Sequence, residues 1–155
     1  EETEFEKKRG ISHVEIRSGF AQVHVSGLKE PLAEPRLNVL DAVQRAGISI
    51  DFLKFTASGV SFLVPERLAD QVRKALEGVA PEFSVETGCS IVLVHAVNMR
   101  DEEGLLARIV SVAIASGAKL GHLGDMHDRL MIATTVEGAA RIKQAVDEQI
   151  REVEA

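Results

Sequence analysis

Two glycines, Gly47 and Gly117, close the same kind of stretch 70 residues apart, and this repeat constrains the fold more than any other feature. Ahead of Gly117, Ile109, Val112 and Ala113 lie at helical spacing; Ala118, Lys119 and Leu120 follow it. Ahead of Gly47, Val39, Leu40, Val43 and Ala46 have the same spacing, and Ile48, Ser49 and Ile50 follow. Each copy reads as an amphipathic helix, a glycine that ends it, and a strand. Solenoid units recur at roughly 20–50 residues, so a repeat of this length describes a small domain used twice.

A chain of 155 residues holds one ordinary domain or two small ones. With 45% hydrophobic and 27% charged residues, it has the composition of a globular protein rather than a disordered or membrane-embedded one. Apolar runs such as residues 91–94 are far shorter than the roughly 18 residues of a membrane helix. The net charge of −6, without a basic cluster, and the absence of Tyr and Trp argue against a nucleic-acid partner. Residues 1–10 are dense in charge and read as a linker or frayed segment, not a secretory leader. The lone Cys89 excludes an internal disulfide and reads as a small buried hydrophobe in a reducing cytoplasm.

In chain order, residues 11–16 alternate apolar and polar side chains as a strand, Ser18 and Gly19 break it, and residues 20–25 resume it. A loop over 28–35, bounded by prolines, leads to a helix over 36–46 and a strand carrying Ile48, Ile50 and Phe52. Ser58 and Gly59 turn the chain into a partner strand over 60–64. Pro65 opens a second helix bearing Leu68, Val72, Leu76 and Val79; Gly78 stops it, and a short strand covers 83–85. The second copy begins with the strand 91–97, apolar on both faces. Its helix carries Leu105, Ile109, Val112 and Ala113, and strands follow over 118–123 and 129–134 with a turn at 124–128. A last helix from near Glu137 presents Ile142, Val146, Ile150 and Val153. The first copy is thus β-α-β-β-α-β, whereas the second ends one strand short. The unused strand at 11–16 is predicted to complete the second sheet. The expected fold is α+β, two ferredoxin-like modules: 18–87, and 11–17 together with 88–155.

This pattern resembles the ACT domain, a small regulatory module that binds amino acids. Ile11, Ser12, His13 and Val14, then the run from Ser18 to Gly27, resemble the opening of the regulatory region of aspartate kinases. So do the run from Gln44 to Leu53 and the sequence Val97, Asn98, Met99, Arg100. The resemblance spans about residues 11–150 and includes no ATP or aspartate site. It implies a non-catalytic regulatory protein of the cytoplasm, with a small amino-acid effector bound at the interface between modules. It implies a kinase domain or subunit as partner. A homodimer is expected because a ferredoxin-like sheet has one face without helices of its own and the strand 91–97 is apolar on both faces. The loop after the first strand and the start of the next helix would supply N–H groups to the effector carboxylate, where the helix dipole also favours an anion. In the first copy these positions include Arg36, Leu37 and Asn38, and in the second Met99, Arg100, Asp101, Gly104 and Leu105. Ile50 and Asp51 lie on the strand that would face the effector's ammonium group, with Thr56 nearby. The first loop lacks the family's glycine and has Pro35 near its place, and the Ser/Thr-Ser-Glu stretch after the strand is incomplete in both copies.

Each of these residues also has a plain structural reading. Asp51 fits the solvent side of an alternating strand, Arg36 and Arg100 fit solvated loop cations, and Gly104 fits a backbone turn. His24, His95, His122 and His127 fall on separate strands or turns without metal-ligand spacing, so no metal and no cofactor is expected. No nucleophile signature is present, and Gly121 to Gly124 do not form a phosphate loop. The alternative to an effector-binding protein is a dimerisation or interaction module of the same fold with a decayed site.

Overall fold

The computed structural model describes residues 10–97, 104–126 and 128–151. Its elements are β1 (Gly10–Ser26), α1 (Ala33–Arg45), β2 (Asp51–Thr56), β3 (Gly59–Pro65), α2 (Ala69–Leu76), β4 (Glu82–Val97), α3 (Leu105–Ala115), β5 (Leu123–Met126), β6 (Arg129–Thr135) and α4 (Val136–Val146). A 3-10 turn, Glu66–Leu68, precedes α2, and α4 continues as a π-helical turn, Asp147–Arg151. The chain divides into two compact units, Gly19–Cys89 and the pair Glu1–Ser18 with Ser90–Ala155.

In the Gly19–Cys89 unit the strand order is β2-β3-β1-β4. β1 and β3 run antiparallel, with Val23 opposite Phe62 and Val25 opposite Val60. The alternation of β1 sends Ala21, Val23 and Val25 to one face, where they meet Val39 and Val43 of α1 and Val72 and Leu76 of α2. Both helices therefore lie on one side of this sheet. Gly59 opens β3 against the backbone of Val25, where no side chain fits.

In the other unit the order is β1-β4-β6-β5. Ser18 meets Ser90 and Ser12 meets the carbonyl of His95, so β1 and β4 run in opposite directions here. Val14, Val92, Val94, Leu130 and Ile132 face Leu105, Ile109 and Ala113 of α3 and Ile142, Val146 and Ile150 of the last helix. Thr135 caps α4 by accepting the N–H of Gly138 at 3.0 Å.

Gly47 and Gly117 both take left-handed backbone, at φ 78° and 83°, one residue past the cap of α1 and α3. Only glycine enters that region without a Cβ penalty, and this ends each helix where the repeat places its end. Several expected boundaries move. β1 passes through Ser18 and Gly19 without a break, because β4 accompanies it along both halves. For the same reason the strands expected at 83–85 and 91–97 are one. α1 begins at Ala33, three residues earlier than expected, with Pro35 inside its first turn. There the missing N–H costs nothing, since the first helical N–H groups have no partner within the helix. Ile48 and Ile50 precede β2 rather than belonging to it, and β5, Leu123–Met126, starts where the strand expected at 118–123 ends and takes in residues 124–126, expected as turn. Residues 121 and 122 still exchange backbone hydrogen bonds with Ala133. Val153 lies outside the described residues.

Gly59→Ala drives a methyl into the Val25 carbonyl and is expected to destabilise the fold by about 1–3 kcal/mol or more. Gly124→Ala, whose Cβ would meet only the Met131 side chain at 3.6 Å, is expected to cost less. Urea unfolding of both variants measures the difference.

Candidate functional site

The candidate positions of the first copy gather around α1 and the β2–β3 hairpin. Arg36, in the first turns of α1, reaches across to that hairpin. Its Nε donates to the Gly59 carbonyl at 3.0 Å and its Nη2 to the Thr56 carbonyl at 2.6 Å. The guanidinium also lies over the Phe55 ring, 4.5 Å from the centroid. Arg36 thus ties the start of α1 to the hairpin end, and Thr56 takes part through its main-chain oxygen. Leu37 and Asn38, one and two residues on, are exposed, Leu37 by 60%.

Asp51 opens β2 and is exposed. Immediately after it the ladder slips: Asp51 pairs with Leu63 but Lys54 pairs with Ser61. Three steps on β2 match two on β3, which is a β-bulge. Phe52 accommodates it at φ 54°, a left-handed backbone costly for a bulky residue, about 1–3 kcal/mol. Its ring packs edge-on against Phe20, 6.4 Å between centroids. Strained backbone of this kind persists where the surroundings over-determine it, and it clusters at ligand sites. Beside the bulge, Ile50, Leu53, Gln44 and Gly47 help to line an open groove of about 610 Å³. Asp51 and Ile50 therefore lie at a strained strand end beside a concavity, a feature the alternation of residues 48–52 gave no sign of.

In the second copy, Gly104 precedes α3 with φ 76° and its carbonyl accepts the N–H of Arg108 at 2.9 Å. Leu105 is buried in the core beneath. Met99, Arg100 and Asp101 lie outside the described residues.

A second cluster was not foreseen. His13 and Glu15 lie two residues apart on β1 and so share a face, and β4 brings His95 beside them. The rings of His13 and His95 stack with centroids 4.1 Å apart, and His95 Nε2 lies 3.2 Å from Glu15 Oε1. Arg17 Nε donates to the other Glu15 oxygen at 2.8 Å. That hydrogen bond first, and the one to His95 next, hold the Glu15 carboxyl below the usual carboxylate range. The spacing of His13 and Glu15 was visible in the sequence. Their meeting with His95 depends on the β1–β4 pairing.

No family model and no curated protein sequence matches the chain. Solved structures do match its fold. The ligand-free regulatory subunit of aspartate kinase from Thermus thermophilus superposes with a TM-score of 0.81 at 19% identity, over 90% of this chain and 97% of that one. A putative C-terminal regulatory domain of aspartate kinase from Porphyromonas gingivalis gives 0.71 at 15%, covering 88% and 95%. Aspartokinase III of E. coli, in complex with lysine and aspartate, gives 0.70 at 13%, over 90% of this chain and 33% of that one. The chain has the α+β fold of aspartate kinase regulatory subunits and domains, compatible with the ACT type. Among the described residues no helix is long and apolar enough to cross a membrane.

Arg36→Ala removes two charge-assisted hydrogen bonds and a ring contact, and is expected to lower stability by about 1–3 kcal/mol. Hydrogen exchange would rise in the β2–β3 hairpin before it rises in β6. Arg36→Lys, which lacks the planar fork, should restore little.

Proposed function

We propose that this chain is a non-catalytic regulatory protein made of two ACT-type modules, one built on 18–87 and the other on 11–17 with 88–155. The observation that carries the reading is the fold shared with a Thermus thermophilus regulatory subunit across 97% of that subunit's length. In this reading a small amino acid binds where modules pack together. Asp51 meets its ammonium group, and Ile50 and Thr56 flank it. In each copy the start of the helix faces the carboxylate of its own effector: Arg36, Leu37 and Asn38 in the first, and Gly104, Leu105 and the segment holding Met99, Arg100 and Asp101 in the second. Binding favours one arrangement of modules over another, and a kinase domain or subunit in the cytoplasm responds to that arrangement.

A homodimer would supply the second module surface. β2 ends its sheet, so one row of its backbone N–H and C=O groups is left to pair with a second copy, and Leu53 and Phe55 of the same strand are 46% and 56% exposed. Light scattering is expected to give the mass of a dimer, and a monomer mass at all concentrations would contradict it. The same fold acting only as an interaction module is favoured by one observation, the commitment of Arg36 to the hairpin carbonyls.

A thermal-shift screen of the twenty amino acids separates the two. A true effector at one hundred times its dissociation constant stabilises by about 2.7 kcal/mol, and Asp51→Ala should weaken that effector at least tenfold. No shift with any amino acid would leave the interaction module as the account.

A further inference from the structure

We propose that His13, Glu15 and His95 form a binding site for a divalent transition metal ion of the zinc class. The ligating atoms of the three side chains all lie within 4.8 Å of one another. Two donors at alternate positions of one strand and a third on its neighbour present three ligands to one point above a sheet. Two imidazoles and a carboxylate suit zinc and its neighbours, whereas calcium and magnesium prefer oxygen alone. The separation of His95 Nε2 and Glu15 Oε1, 3.2 Å, is close to the roughly 3.3 Å edge between two ligands about 2.0–2.1 Å from a tetrahedral ion.

The surrounding groups set the donors up for this role. Arg17 holds Glu15 Oε2, leaving Oε1 as the oxygen directed at His95. The Ser12 hydroxyl donates to the His95 carbonyl at 3.1 Å, and its oxygen then accepts from Nδ1–H of His13 at 3.5 Å. That tautomer leaves the Nε2 lone pair of His13 for an ion. His95 binds through Nε2 with its proton on Nδ1, so the Nε2–H···O contact to Glu15 is exchanged for two bonds to the metal. One rearrangement is required. The two rings stack within 10° of parallel, and in-plane lone pairs of parallel rings do not converge. His13, the exposed member, turns its ring out of the stack to close the site, and water completes four-coordination.

The ion would fasten the first half of β1 to β4, independently of any amino-acid effector. The test is titration of the full chain with Zn²⁺ by calorimetry, and with Co²⁺ followed by its visible ligand-field bands. One equivalent is expected to bind, with four-coordinate band intensity and a raised melting temperature, whereas Mg²⁺ produces neither. His13→Ala, which alters an exposed side chain, and His95→Ala should each weaken binding at least about tenfold. The double variant His24→Ala/His122→Ala should bind as the parent does. No saturable uptake, or undiminished affinity in His13→Ala, would overturn the proposal.

Discussion

The structure rests on the hydrogen-bonded pairing of β1 with β4. In the unit of Glu1–Ser18 with Ser90–Ala155, β1 stands beside β4 at one end of the strand order β1-β4-β6-β5. Without it the sheet would end at β4, whose unpaired N–H and C=O groups would then form an open edge. Val14 would also be missing from the core shared by Val92, Val94, Ile109 and Ile142, opening a void in a tightly packed interior. The same strand, continuing as residues 19–26, lies between β3 and β4 in the other unit and lends it Ala21, Val23 and Val25. One strand of 17 residues therefore takes part in two hydrophobic cores.

Much of this was legible in the residues. The helical spacing of Val39 and Val43, and of Leu105, Ile109 and Ala113, identifies the faces that the structure buries. Gly47 and Gly117 mark the ends of α1 and α3 because left-handed backbone is a local property of the residue. Boundaries that depend on partners were not legible. Ser18 and Gly19 look like a stop until β4 is placed alongside, and Pro35 looks like loop until one sees that its missing N–H falls on a turn without acceptors. Residues 118–122 alternate well enough for a strand, yet the ladder to β6 is regular only from Leu123 onward.

The candidate site was legible to a lesser degree. Asp51 could be placed on a strand from its neighbours, but the bulge and the positive φ of Phe52 arise from the register against Leu63 and Ser61, a long-range property. From sequence Arg36 fits either an effector contact or a solvated loop cation. Its guanidinium donates to two hairpin carbonyls about twenty residues further along, which local sequence does not encode. The meeting of His13 and Glu15 with His95 follows from the same β1–β4 pairing that completes the core. A structural constraint thus also creates the juxtaposition with chemical potential.

Hydrogen exchange resolved by residue tests this dependence most directly. The account predicts that the amides of residues 11–17 bonded to β4 exchange as slowly as those of residues 130–134, both opening only when that unit unfolds. Exchange of residues 11–17 at the rate of an open peptide, while β6 stays protected, would contradict it.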